Sequence, residues 1–221
     1  MCTSASVPTP DWFAQLLRPE LSQSQLSQSQ VAQLYHHYEL LIRWNKRMNL
    51  TAVKPGPEIV VRHYCESLFF SAHLPAAHKT ISVFDVGSGA GFPGIPMAIL
   101  KPDWRVTLIE SSQRKAVFLR ESSRHLSNVS VLSQRVEDVV LETDWLVARA
   151  VDPPQVLLNV PRLAPRIGLM LGEDDFSSIR GDNRIAWSEP VRLPWGDRKV
   201  CVYGECSTWN RRADVPPKRS T

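Results

Sequence analysis

The sequence predicts an α/β fold in which a mostly parallel sheet is covered by helices, closed by a C-terminal antiparallel hairpin and preceded by a helical extension. Three observations carry this. Short β-branched runs separated by helical stretches recur from Ile81 onward. Between residues 31 and 75 the apolar residues instead follow the three- and four-residue spacing of a helix face. Finally, "RIAWSEPVRL" and "RKVCVYGEC" are strand-like runs joined by "PWGD" with no helix between them. Parallel strands need a crossover connection, so alternating strand and helix signals imply a parallel sheet.

The elements follow in order. After a Ser/Pro-rich start, "SQSQLSQSQ" (22–30) is polar and repetitive and reads as a helix lead-in or loop. Val31, Leu34, Tyr35, Tyr38, Leu41 and Ile42 predict a first long helix; beyond "KPGP", Val61, Tyr64, Cys65, Leu68 and Ala72 predict a second. Residues 1–75 are expected to form a helical extension largely separate from a sheet domain over 76–206. Its strands are "ISVFDV", "WRVTLIE", "VSVL", "WLVARAV" and "RIGLML", then the hairpin. The basic, proline-bearing stretch 207–221 is expected to be a loose tail.

A chain of 221 residues holds one sizeable domain and a small accessory part. Its 26 Lys and Arg against 22 Asp and Glu give a net charge of +4, which suits a polyanionic partner without a histone-like composition. Four cysteines form no C-x-x-C pair, and the first residues lack a signal-peptide apolar stretch. Reduced thiols, a cytoplasmic location, a monomer and no bound metal are expected. No run approaches the ~20 apolar residues that cross a bilayer, so no membrane span is expected.

"DVGSGAGFPGIP" (85–96) contains a literal G-x-G-x-x-G at Gly89, Gly91 and Gly94. Glycines between a strand and a helix let backbone approach a ligand closely. A pyrophosphate also needs free N–H groups at the helix start, and Pro93 and Pro96 each remove one. Asp85 would repel pyrophosphate but can pair with the ammonium of an amino acid. S-adenosylmethionine carries that ammonium and no phosphate. Glu110, ending the next strand, suits ribose hydroxyls in either an NAD or an S-adenosylmethionine site. Within "QRVED", Val136 can pack on adenine while Glu137 or Asp138 meets its amine. The ordered set Asp85, Gly87, Gly89, Gly91 and Glu110 favours S-adenosylmethionine over NAD.

For an acceptor, "LIRWNKRMNLT" gathers Arg43, Lys46 and Arg47 with Trp44, Asn45 and Asn49 at a helix end, a set that can hold phosphates and a base or simply form a solvated face around an anchoring Trp44. In "VRHYCES", Arg62 and Glu66 share one helix face, as a surface pair would, and His63 is either a proton carrier, a phosphate contact or structural. "DPPQ" (152–155) nearly spells the D-P-P-Y element of enzymes that methylate exocyclic amines, with Gln155 replacing the stacking aromatic.

Taken together, "RWNKRMNLT", "VRHYCES", "DVGSGAGFPGIPMAI", "SSQRKAVFLRE" and "QRVEDV" resemble the bacterial RsmG, or GidB, family from about Leu41 to Val151. The resemblance implies a class I, Rossmann-like methyltransferase. It would move the methyl of S-adenosylmethionine to N7 of a guanine in the 530 loop of 16S ribosomal RNA, free or in the small subunit. It places cofactor contacts on Gly87, Phe92, Val136, Glu137 and Arg149. Arg149, His63 and Asn45 would position the reactants; Arg43, Lys46, Arg47, Asn49, Arg62, Arg114 and Lys115 would face RNA. Two departures stand out: "LMLGEDD" has Leu171 where the family typically carries Lys before the glycine, and Glu66 replaces Asp. The first implies a lost cation and a more negative edge at Glu173, Asp174 and Asp175. Competing readings are an NAD-dependent oxidoreductase, an exocyclic-amine methyltransferase and a non-catalytic RNA-binding protein with a vestigial pocket.

Overall fold

The computed structural model describes residues 9–17, 26–75, 78–195 and 198–209. Most of the expected tail therefore lies outside the described residues, as does part of the Ser/Gln repeat. Among the described residues, eight strands form one sheet: β1 (Ser82–Val86), β2 (Arg105–Ile109), β3 (Val129–Leu132), β4 (Trp145–Arg149), β5 (Arg166–Gly172), β6 (Ile185–Trp187), β7 (Val191–Arg192) and β8 (Lys199–Cys206). Their order is β3-β2-β1-β4-β5-β8-β6, with β7 also beside β8. From β3 to β5 the neighbours are parallel, and β8 runs antiparallel to β5, β6 and β7. The single first strand expected for the hairpin is two short ones, because Pro190 between them has no N–H to give the ladder.

Period-two alternation divides the core. Along β1, Val83 faces a core shared with the N-terminal helices, while Phe84 and Val86 face a second one. The second core is covered by α7 (Pro153–Leu163) and α8 (Glu173–Ile179). On the first lie α1 (Pro10–Leu16), α2 (Gln28–Met48), α5 (Gly94–Leu100), α6 (Gln113–Ser123) and a composite helix over 57–73.

That shared core corrects the expectation of a largely separate extension. Phe13, Leu34, Tyr38 and Leu41 belong to the same buried cluster as Val83 and Phe118, so the helices cover a sheet face that would otherwise meet water. α1, unread in the sequence, is capped by Thr9 and drives Phe13 among Tyr35, Tyr38 and Tyr64. In α2, Ser27 and Gln30 form a reciprocal capping box, and Gln30 Nε2 also donates to the Ile99 carbonyl at 2.8 Å. The Ser/Gln repeat is thus, at its end, a helix start.

The composite helix begins as α3 (Pro57–Ile59), widens into a π-helical stretch (Val60–Cys65) and resumes as α4 (Glu66–His73). The wider turn changes which residues align. Arg62 pairs with Glu58 at 2.9 Å on the surface, and Glu66 turns inward to 2% exposure, so the expected Arg62/Glu66 face does not form. π-turns inside helices occur frequently at functional sites.

Candidate active site

The loop after β1 is held by its own backbone. Gly87, Gly89 and Gly91 all have positive φ, at 68°, 55° and 88°, a region that side chains rarely enter. Gly87 and Ser88 N–H donate to the Ile109 carbonyl, Gly89 N–H to Glu110 Oε2 at 3.0 Å, and Gly91 and Phe92 N–H to the Ser88 carbonyl. Gly94, the last glycine of the literal fingerprint, serves packing instead. A Cβ there would lie 2.3 Å from Leu108 Cδ2 and 2.6 Å from Asp85 Oδ2.

Asp85 sits where a pyrophosphate would have to bind. Its Oδ2 accepts from Gly94 N–H at 3.0 Å, so the first turn of α5 already has its anion. Oδ1 is buried without a partner among the described residues. Burial pushes this carboxyl up to about 7, against hydrogen bonds that favour its ionised form. An ammonium beside Oδ1 would supply the missing partner. Glu110, 6% exposed, ties the loop to the start of α6, its Oε1 accepting from Ser112 N–H at 2.8 Å. Each oxygen keeps lone-pair capacity for a diol.

Gly87, Ile109, Val136, Glu137 and Gln155 line one small cavity of about 160 Å³, which joins three of the expected cofactor residues. Gln155 Nε2 donates to Glu137 Oε1 at 3.1 Å. The "DPPQ" stretch therefore opens α7, with prolines in its first turn, and its glutamine braces the acid of this cavity. Phe92, expected as a cofactor contact, turns its side chain inward. It is 7% exposed and stacks on His63 with centroids 4.8 Å apart, edge-on to Tyr64 and His37, so it backs the loop from inside the core.

His63 and Asn45 belong to one linkage. Asn45 donates to the Thr51 carbonyl and accepts from Thr51 N–H at 2.9 Å, while Thr51 Oγ1 meets His63 Nε2 at 2.7 Å. The Asn45 amide is thereby engaged with backbone and acts on the site through Thr51. Asn49 is the left-handed cap of α2. Burial, with the nearby Arg149 charge, pushes His63 down to about 3, which removes it as a proton carrier near neutrality.

Arg149, ending β4, donates to Glu66 Oε2 at 2.8 Å and to the Arg62 carbonyl. Lys199 reaches the same carboxylate from β8 at 2.9 and 3.1 Å. Because Lys199 stands opposite Gly172 in the β5–β8 ladder, the edge that has Leu171 in place of a lysine still carries a cation. Nor is that edge strongly negative: Glu173 pairs with Arg192 and Arg198, and Asp174 with Arg198 at 2.7 Å. Lys199 thus offsets the cation lost at Leu171, and the ion pairs of Glu173 and Asp174 offset the added negative charge.

The basic residues divide. Arg43, Lys46, Arg47 and Arg114 line a groove of about 620 Å³ with Trp44 and Met48. None of these four cations forms an ion pair with a described residue. Trp44 packs edge-on against Phe118 at 5.8 Å. Asn49, Arg62 and Lys115 do not line this groove.

Two site residues escaped the sequence reading. His37, fully buried on the inner face of α2, bridges Tyr64 Oη at 2.7 Å and the Ala90 carbonyl at 3.1 Å, joining helix to glycine loop. Burial pushes it down to about 3. Its place at three residues from Leu34 and four from Leu41 put it on the apolar stripe, a signal available in the sequence. Lys199 had no such local mark, since only strand pairing brings it to Glu66.

Among solved structures, the chain is similar to a magnesium protoporphyrin IX methyltransferase from Synechocystis (TM-score 0.59, 16% identity, covering 80% of this chain and 96% of that one). It is also similar to an S-adenosylmethionine-dependent methyltransferase from Aquifex aeolicus (TM-score 0.54, 18% identity, covering 68% and 94%). These likenesses show the class I methyltransferase fold. In sequence it is 41% identical to the ribosomal RNA small subunit methyltransferase G of Pelotomaculum thermopropionicum, over 88% of this chain and 92% of that protein. Identity to the namesake protein of Xanthomonas campestris is also 41%, over 87% and 95%. With that of Nitrosomonas europaea it is 42%, over 54% of this chain and 56% of the relative's length. The family model for rRNA small subunit methyltransferase G, GidB, matches residues 30–171, a span that holds the glycine loop, Glu66, Glu110 and Arg149. With the fold, the loop, this family match and the two likenesses that span most of both chains in agreement, the chain belongs to the rRNA small subunit methyltransferase G family.

Proposed function

We propose that this protein transfers the methyl group of S-adenosylmethionine to N7 of a guanine in the 530 loop of 16S ribosomal RNA, acting as a cytoplasmic monomer on the RNA or the small subunit. The observation that carries the cofactor is Asp85. Its buried, unpartnered Oδ1 beside three left-handed glycines suits an ammonium, and its Oδ2 blocks the helix start that a dinucleotide's pyrophosphate needs. Glu110 is the acid for the ribose, and Val136 with Glu137 the adenine end. The acceptor follows from membership of the family. No helix among the described residues is long and apolar enough to cross a membrane.

When bound, the cofactor supplies an electrophilic methyl on sulfonium. Guanine N7 has an in-plane lone pair, so its attack needs no base. That agrees with a site whose two histidines, His37 buried and His63 half-buried, are both pushed down to about 3 by desolvation. The chain's own contribution is placement. Asp85 and Glu110 orient the cofactor, and Arg149 is held at the end of β4 by Glu66 and the Arg62 carbonyl. Such alignment can contribute about 7–11 kcal/mol. The four cations of the α2–α6 groove, which pair with no described residue, suit a phosphate backbone.

Single-turnover transfer of labelled methyl to 16S RNA and to small subunits, followed by nucleoside identification, tests the reading. The expected product is 7-methylguanosine; label in N6-methyladenosine or in no nucleoside would overturn it.

A further inference from the structure

Glu66 is 2% exposed, yet its one carboxylate receives two cations from different strands. Arg149 Nη2 lies 2.8 Å from Oε2, and Lys199 Nζ lies 2.9 Å from Oε1 and 3.1 Å from Oε2. One cation would balance the charge. The second leaves these three groups with one positive charge in excess, mostly on Arg149, whose side chain is 12% exposed and which Asp85 also faces. Arg149 Nη1 is also buried and has no partner among the described residues. A guanidinium with an unused buried donor has an unfilled place for an acceptor.

For Arg149 to turn its whole guanidinium toward an acceptor, rather than to use Nη1 alone, it must loosen the hold of Nη2 on Glu66. In a simple buried pair that move strands a carboxylate, the costliest change such a pair can undergo. Here Lys199 already touches both oxygens. Among the described residues no other cation is placed for this, Arg62 being paired with Glu58. Arg192 and Arg198 are paired with Glu173 and Asp174, and the strand opposite Lys199 offers Leu171 and Gly172.

We propose that Lys199 is a positioning residue: by holding both oxygens of Glu66 it frees Arg149 to engage an oxyanion of a bound ligand. This rests on the methyl-transfer reading above. The oxyanion is either the carboxylate of the cofactor's amino-acid moiety or a phosphate of the RNA strand, and Lys199 serves either.

The test compares wild type, Lys199→Met and Lys199→Arg, each with Glu66 intact and with Glu66→Gln. Three quantities are read: calorimetric affinity for S-adenosylhomocysteine without RNA, KM and kcat for methyl transfer to RNA, and the thermal midpoint. With Glu66 intact, Lys199→Met is expected to lower kcat/KM at least about tenfold, and Lys199→Arg to restore most of it. In the Glu66→Gln background the same Lys199→Met change should matter little, because a neutral amide needs no second cation. Loss of S-adenosylhomocysteine affinity assigns the oxyanion to the cofactor; loss confined to the RNA KM assigns it to phosphate. A Lys199→Met enzyme with wild-type affinity and kinetics overturns the proposal, as does a loss that persists undiminished with Glu66→Gln or that merely tracks the thermal midpoint. If wild type transfers no methyl to RNA, the methyl-transfer reading fails, and the calorimetric comparison alone decides for or against Lys199.

Discussion

In the glycine loop, seven backbone N–H groups between Gly87 and Ile95 are held by acceptors within the protein, whereas the four cations of the α2–α6 groove pair with no described residue. The first region is shaped before any ligand arrives. Its glycines, Asp85 and Glu110 are fixed by short hydrogen bonds, so a ligand meets a preformed surface. The second is a set of solvated charges on long side chains, whose attraction for a polyanion is spread over many phosphates and weakened by salt. Precise recognition of a small molecule and tolerant recognition of a large one thus use different physics within one chain.

The sharpest way to break this contrast is Gly87→Arg. A Cβ at Gly87 already lies 2.7 Å from Val151 Cγ2, and φ is 68°, so a long side chain is driven into the cavity. Cofactor binding should fall beyond calorimetric detection while the far-ultraviolet circular dichroism stays native. Unchanged binding would remove the cofactor from this loop.

Asp85→Asn should weaken S-adenosylmethionine binding by about 10- to 100-fold, the loss of one charged hydrogen bond. It should also flatten a pH dependence. A cationic ligand favours ionised Asp85, and burial raises that group to about 7, so wild-type affinity should rise with pH up to about 7 and then level. Calorimetry between pH 5.5 and 8 distinguishes the two profiles; a wild-type affinity that falls over that range contradicts the ammonium pairing.

On the groove, Lys46→Glu combined with Arg47→Glu should weaken RNA binding several-fold, leaving cofactor affinity intact. The salt slope should fall by ~0.7 for each phosphate that is no longer neutralised. Filter binding at several salt concentrations reads this, and equal loss of both affinities would make the groove a structural feature. The smallest effect is expected at Gly89→Ala. Only the Gly87 carbonyl lies near, at 3.7 Å, so the cost is the left-handed φ alone, about 1–2 kcal/mol of folding stability in urea denaturation.

What the sequence disclosed tracks how local each interaction is. The glycine loop, Asp85 and Glu110 were readable because strand, turn and helix start lie within a few residues, and positive φ leaves glycine as a visible mark. The parallel strands were readable from their β-branched runs. The Glu66–Arg149–Lys199 cluster was not, since it joins three segments far apart in the chain and depends on a π-stretch that no residue pattern announces. Asn45 and His63 were noticed for their chemistry, yet their roles came from Thr51 between them. The extension was misjudged as separate because a helix face shows that it needs a partner without showing which one.

The position of β8 has a consequence for the order of assembly. This strand lies between β5 and β6 although it follows both in the chain, and it pairs with β5 over seven consecutive positions, from Arg166–Glu205 to Gly172–Lys199. During synthesis, β5 must wait with one edge open until β8 has emerged and slid into place beside it. Lys199 is the first residue of that strand. The second cation on Glu66 therefore arrives only with β8, and a nascent chain that already holds its glycine loop is not yet a finished enzyme.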